Sequence, residues 1–268
     1  AMTPPSVIEF DHVTKRFGAK TAVDDLSLSV QTGELFCFLG PNGAGKSSTI
    51  QMLMGLKAPT SGDIRINGVS VRSPGIHGVR RGIGYLPEQP VLYDYLTGRE
   101  FVQFVAQLQE AHPLSDDSLD AAFARFELAN AADALVKTYS MGMKKKIALL
   151  AALTTNPALL VLDEPTGALD AASAREVKDL MVEARRDGKA VFFTTHVMEI
   201  AEQMADRLAI IDAGALLAVG TLSELRLRFG TSPDEPLERI FLRLTGRGRV
   251  REQAPQSAAS LMRPAVRQ

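Results

Sequence analysis

GPNGAGKSS at residues 40–48 places Gly40, Gly45, Lys46 and Ser47 in the spacing G-x-x-x-x-G-K-[ST]. That spacing builds a phosphate-binding loop. Its backbone N–H groups turn toward one point, where the N-terminus of a following helix adds positive potential. Glycine serves here because a Cβ would obstruct close backbone approach and the turns at φ > 0. The cradle consists of Gly40, Pro41, Asn42, Gly43, Ala44, Gly45, Lys46, Ser47 and Ser48. Lys46 can reach the β- and γ-phosphates of a nucleotide, and the Ser47 hydroxyl is placed to ligate Mg²⁺. Far downstream, ALLVLDEP (158–165) is an apolar run that ends in two carboxylates. Asp163 suits Mg²⁺ held through water, and Glu164 is then free to orient or deprotonate an attacking water. His196, in THVMEIAE, follows another apolar run, on the sheet edge where open α/β folds bind ligands.

These residues need strands and helices to hold them. ELFCFL (34–39) is a nearly continuous apolar run, as a strand buried on both faces requires. After the loop, Ile50, Leu53 and Met54 sit at helical spacing, and Gly55 and Pro59 punctuate the chain beyond them. VIEFDHVTKRF and AVDDLSLSV read as two short strands around a turn at Gly18, and residues 64–71 add one more strand-like piece. Beyond GIGYL (82–86) the pattern turns helical. Thr97 with Glu100 makes a capping box, followed by Phe101, Phe104, Val105 and Leu108 on one face. Leu119, Ala122, Phe123 and Phe126 repeat that spacing. From 158 strand and helix alternate again: ALLVL, a helix carrying Val177, Leu180, Met181 and Ala184, then AVFFTT. RLAIID and ALLAVG form a hairpin around Ala213-Gly214. The fold class is α/β: one domain over 1–230, with a core at about 1–88 and 157–225 and an inserted helical subdomain at about 89–156. Residues 231–268 are read as a short helix, LERIFLRL, and a disordered tail.

Composition sets outer limits. A chain of 268 residues can bury a large core. Its net charge of −1 argues against bulk nucleic-acid binding, so no nucleic-acid partner is expected. Cys37 lies inside an apolar strand, reads as a small core hydrophobe and leaves a reducing compartment compatible. No stretch approaches the roughly 18 apolar residues of a membrane span, and AMTPPSVIEF lacks a signal peptide's apolar core. The chain is expected to be soluble when isolated.

Together these segments resemble the ATP-binding subunit of an ABC transporter over roughly residues 7–242. YSMGM (139–143) resembles the family's LSGGQ signature, and PTGALD (165–170) resembles its D-loop. The order of phosphate loop, Q-loop region, signature, Walker B, D-loop and switch histidine matches. The resemblance implies a P-loop NTPase core with an antiparallel β edge and an inserted α-helical subdomain. ATP and Mg²⁺ would be its cofactors, and hydrolysis would energise a separate transmembrane permease at the cytoplasmic face of the cell membrane. Membrane contact would be indirect, through that permease. It also implies a second nucleotide-binding subunit stacked head to tail, as a homo- or heterodimer. Ser140 and Gly142 would then close over the γ-phosphate held by the partner. His196 would contact the chain's own γ-phosphate, and Phe17 in KRFG would stack on adenine. Independently of the resemblance, Ser140 is a natural N-cap for MGMKKKIALLAAL, whose apolar face includes Ile147, Leu150 and Ala151.

Several positions depart from the family pattern. Met141 and Met143 replace the commonest Gly and Gln, and Tyr-Ser-x-Gly-Met resembles a version frequent in ABC-2-type exporter ATPases. Glu88 occupies the Q-loop glutamine's slot, with Gln89 next to it. A carboxylate is a good hard ligand for Mg²⁺, so either residue can serve, and Glu88 is the working choice. Leu92, Tyr93 and Tyr95 come next, at the edge that receives the permease's coupling helix in the family; local core is the competing reading. Lys144, Lys145 and Lys146 read either as phosphate attraction or as a solvated basic face. From Arg239 onward seven arginines face one acid, Glu252, which suits anionic headgroups or a solvated tail. A soluble ABC ATPase acting as a clamp on nucleic acid or protein is the rival function, though the sequence has no long coiled-coil insertion. A nucleotide kinase or GTPase is weaker, because no N-K-x-D segment reads guanine. Cargo specificity would reside in the membrane subunit.

Overall fold

Alternating inward residues such as Leu26, Leu28 and Val30 give the N-terminal half a long antiparallel hairpin. Its arms are β1 (Ser6–Phe17) and β2 (Lys20–Gln31), joined at Gly18. The computed structural model describes residues 5–110, 114–230, 232 and 235–245. The remaining strands are β3 (Leu35–Leu39), β4 (Ser61–Ile66), β5 (Val69–Ser70), β6 (Ile83–Leu86), β7 (Leu159–Leu162), β8 (Ala190–Thr195), β9 (Arg207–Asp212) and β10 (Ala215–Gly220). All join one sheet in the order β5-β4-β1-β2-β10-β9-β3-β8-β7-β6. Strands β3, β8, β7 and β6 run parallel, and β5-β4-β1-β2 form an antiparallel edge. The two parts meet where Ala215 pairs with Asp24. The single strand-like piece expected at 64–71 is instead a hairpin of β4 and β5. Asn67 (φ 49°) and Gly68 (φ 75°) make its two-residue turn, whose positive φ values match the strands' twist.

The described helices are α1 (Lys46–Leu53), α2 (Ile76–Arg81), α3 (Gly98–Leu108), α4 (Asp116–Arg125), α5 (Met141–Leu153), α6 (Ala171–Arg186), α7 (Met198–Met204), α8 (Leu222–Arg228) and α9 (Leu237–Leu244). Alternation along β3 sends Leu35, Cys37 and Leu39 to one face of the sheet and Phe36 and Phe38 to the other. The first face packs under α3, α5 and α6. On the second, Phe192 meets Phe10, Phe36 and Phe38 at ring distances of 5.7–6.4 Å. The capping box at Thr97 and Glu100 is present, with the Glu100 amide donating to Thr97 Oγ1 and the Thr97 amide to Glu100 Oε2. The buried stripe of α3 differs from expectation. Phe101, Val102 and Ala106 face the core, Phe104 turns to Tyr93 in an edge-to-face contact at 5.1 Å, and Leu108 is 63% exposed. Leu237, Ile240 and Phe241 of α9 are buried in the same core as Ala201 and Leu225. The arginine-rich segment from 246 lies outside the described residues.

Candidate functional site

The carboxyl ends of β3, β8 and β7 lie side by side, and each delivers one part of the site. Loop 40–45 leaves β3 and enters α1. Close packing explains two of its glycines: a Cβ on Gly40 would sit 2.4 Å from the Ile211 carbonyl oxygen, and one on Gly45 2.4 Å from that of Ala22. Gly45 (φ 113°) and Gly43 (φ 83°) also take left-handed conformations that favour glycine. Lys46 is buried and donates to the carbonyl oxygens of Gly40 (2.8 Å) and Pro41 (3.3 Å). Its ammonium also lies 3.3 Å from Glu164 Oε1.

Strand β7 delivers Asp163 and Glu164, both buried. Thr194 on β8 connects them: its hydroxyl donates to Asp163 Oδ1 at 2.6 Å and accepts from the Glu164 amide at 3.0 Å. Burial pushes the Asp163 pKa up, opposed by hydrogen bonds from Thr194 and Ser47. His196, just past β8, brings Nδ1 to 3.0 Å from Glu164 Oε1. One carboxylate oxygen therefore gathers Lys46 and His196. Among the described residues no group of three or more His, Cys, Asp or Glu side chains is arranged to cage a metal. Ser47 and Asp163 touch as two adjacent hard oxygen donors, which fits a Mg²⁺ that takes its other ligands from phosphate and water.

A cleft of about 390 Å³ opens over the loop. Phe17, Lys20, Asn42, Gly43, Ser47, Ser48 and Glu88 are among its walls, with Lys46 and Glu164 at its base. Phe17 is 41% exposed, with the Lys15 and Lys57 ammonium groups 5.0 and 4.7 Å from its ring centroid, so it is no core residue. Pro41 and Ala44 shape the loop, the Ala44 amide donating to the Pro41 carbonyl at 3.1 Å. Glu88 stands at the cleft wall, whereas Gln89 does not line it. Ser140 caps α5, accepting from the Met143 amide at 3.2 Å, and neither it nor Gly142 lines this cleft. Tyr139 is buried and its hydroxyl donates to the Ala131 carbonyl at 2.6 Å.

The lysine run takes neither of its expected forms. Lys145 is 4% exposed and donates to the carbonyls of Glu164 and of Gly167 (2.9 Å). Lys146 is also buried, its ammonium reaching Glu127, while Lys144 pairs with Asp94. Helix geometry is the reason, since consecutive residues point about 100° apart and cannot share one face. Tyr93 is exposed and Tyr95 is 82% exposed, whereas Leu92 packs on the core. Thr194 and Lys20, which the sequence does not single out, touch or line the site, and Lys145 reaches it through backbone carbonyls and not through phosphate. A polar Thr ending the apolar AVFFTT, and Lys145 at helical spacing with Leu149 and Ala152, were the available signals.

The ABC transporter family model matches residues 23–167. The ABC transporter ATP-binding protein YhcH of Bacillus subtilis is 36% identical over 220 residues, 82% of this chain and 71% of that protein. The Nod factor export ATP-binding protein I of Burkholderia lata is 42% identical over 226 residues, 81% of this chain and 71% of that one. The chain spans only 13–25% of the larger A-family members it also matches, in plants and mammals. A solved ATP-binding subunit of an ABC transporter superposes with a TM-score of 0.82 at 31% identity, over 90% of this chain and 100% of that one. A dimeric ATP-binding cassette in a post-hydrolysis state, bound to ADP and Pi, gives 0.73 at 25% identity, over 80% of this chain and 98% of that one. No helix among the described residues is long and apolar enough to cross a membrane.

Proposed function

The chain belongs to the ABC transporter family as an ATP-binding, ATP-hydrolysing subunit, and from that premise we propose how its own residues divide the chemistry. Family members pair as cassettes and work with membrane-spanning components. The loop amides of 40–48 and the Lys46 ammonium grip the phosphates, and Phe17 offers its ring to adenine. Ser47 and Asp163 would hold Mg²⁺, which would neutralise charge on the phosphates. Glu88, at the cleft wall, takes the Q-loop position and would tune the affinity for that metal.

Glu164 is the general base and His196 its neighbour on the γ-phosphate side. The observation that carries this reading is the convergence of Lys46 and His196 on Glu164 Oε1. When a γ-phosphate takes the ammonium, the carboxylate keeps His196 and is released to accept a proton from water. Ser140 and Gly142, which do not line this cleft, act on the nucleotide of a second subunit stacked head to tail. Closing that dimer completes the site, because phosphoryl transfer depends on positioning and charge stabilisation. The permease binds the exposed Tyr93 and Tyr95 edge on the cytoplasmic face, and the YSMGM signature favours an exporter.

Glu164→Gln tests the assignment. ATP binding should survive while turnover falls about 100-fold or more, the scale of a lost general base. A variant that hydrolyses ATP at the wild-type rate would remove Glu164 from this role.

A further inference from the structure

We propose that Lys145 is a positioning residue that anchors the backbone carrying Glu164 to the signature helix of the same chain. The proposal deepens the reading of Glu164 as the general base and rests on it. Lys145 sits on α5, and its buried ammonium donates to two carbonyls, those of Glu164 and Gly167. A Met or Leu would fill the same space with no ammonium to desolvate, so what the charge adds is its hold on those two oxygens.

The segment it holds is a constrained one. Glu164 (φ 48°) and Ala168 (φ 61°) both occupy the left-handed region, which non-glycine residues keep only when their surroundings over-determine it. Glu164 is gripped on both sides. Its amide donates to Thr194 Oγ1 at 3.0 Å, and its carbonyl accepts from Lys145 and from the Gly167 amide at 3.1 Å. The ammonium also lies within electrostatic reach of the Glu164, Glu88 and Asp163 carboxylates.

Position on the helix supplies the consequence. Ser140 caps α5, and Lys145 follows it within the same 13-residue rod. A shift of the capped end is therefore transmitted to the Glu164 carbonyl. In the head-to-tail dimer Ser140 meets the partner's nucleotide while Glu164 faces the chain's own. Lys145 then links the two composite sites through one chain.

The test uses the full chain with Lys145→Met, which removes the donors, and Lys145→Gln, whose amide is one atom shorter and cannot span both carbonyls. ADP affinity, steady-state ATPase kinetics and hydrogen exchange of the 164–170 amides are measured below the melting temperature. In Lys145→Met, ADP affinity and KM should stay within about twofold, as expected when ground-state binding is untouched. Its kcat should fall about tenfold or more, the scale of a misplaced catalytic group. The 164–170 amides should exchange about tenfold faster, as local opening becomes easier. Lys145→Gln should fall between, and it decides the question if Lys145→Met does not fold. Wild-type kcat and exchange in either variant would overturn the proposal, as would a loss of kcat with unchanged exchange. Glu164→Gln keeping the wild-type rate would sink the base reading instead. The exchange readout separates the two failures, because anchoring of 164–170 does not need the carboxylate.

Discussion

Replacing Gly98 by Ala should loosen the signature segment through Tyr139. Gly98 is the first residue of α3, and a Cβ there would lie 2.1 Å from Tyr139 Oη. It would also meet the Ala132 carbonyl oxygen and Ile147 Cδ1, each at 3.1 Å. Gly98 is not among the positive-φ glycines, so the backbone alone favours Ala, by up to about 1 kcal/mol. Overpacking works the other way at about 1–3 kcal/mol. Moving the ring also breaks the Tyr139–Ala131 hydrogen bond at 2.6 Å, worth about 1 kcal/mol net. The balance is a loss of about 1–3 kcal/mol, or roughly 2–12 °C in melting temperature for a chain of this size. Tyr139→Phe removes the oxygen that the new methyl would strike. In that background Gly98→Ala should cost less, giving a coupling of about 1–2 kcal/mol in a double-mutant cycle. Thermal and urea denaturation of the four proteins measures it. If the two effects add within about 0.5 kcal/mol, the contact does not set the position of Tyr139.

Two further outcomes concern the acidic residues. Burial raises the Asp163 pKa from 3.8, so the folded chain binds that proton more tightly than the unfolded chain. The stability this supplies is present below pH 3.8 and is lost as pH rises through the folded value. At neutral pH the ionised carboxylate weakens the nucleotide-free fold, so Asp163→Asn should melt higher than wild type at pH 7 while losing ATPase activity. That gap should narrow toward pH 3.8 in calorimetry, and a lower melting temperature for the variant at pH 7 would contradict the account. Glu88→Ala should shift the Mg²⁺ dependence of ATPase activity and Gln89→Ala should not; the opposite pattern assigns the Q-loop role to Gln89.

What was legible in the sequence was local. ELFCFL and ALLVL are continuous apolar runs because their strands are buried on both faces, and the chemistry begins where each run stops. Caps were equally plain: Thr97 with Glu100, and Ser140 before MGMKKK, act within one helical turn. The β4–β5 hairpin is less plain: Asn67-Gly68 is a strong turn pair, but β5 is only two residues long and 64–71 resembles one strand. The lysine run is deceptive for a related reason. As a block of charge it has one environment, but on a helix its three members have three: Lys144 pairs with Asp94 near the surface, while Lys145 and Lys146 are buried against different partners.

Contacts across the sheet could not be read locally at all. Lys46, Glu164 and His196 meet because β3, β8 and β7 are neighbours in an order that no local spacing reveals. The family resemblance brought the three together, and the geometry adds how they stand toward one another. Lys46 already holds a carboxylate in this arrangement, so an arriving γ-phosphate exchanges one anionic partner for another. The ammonium need not be stripped of charge pairing when nucleotide binds. On the proposed reading, Glu164 gives up the Lys46 ammonium as the γ-phosphate arrives and keeps His196, which leaves Oε1 open to an attacking water. The proposed mechanism thereby couples nucleotide binding to release of Glu164, and it requires that the backbone beneath Glu164 stay in place when Lys46 lets go. Thr194 and Lys145 grip that backbone from its amide and carbonyl sides, which makes their hold a condition of the exchange rather than an accessory to it.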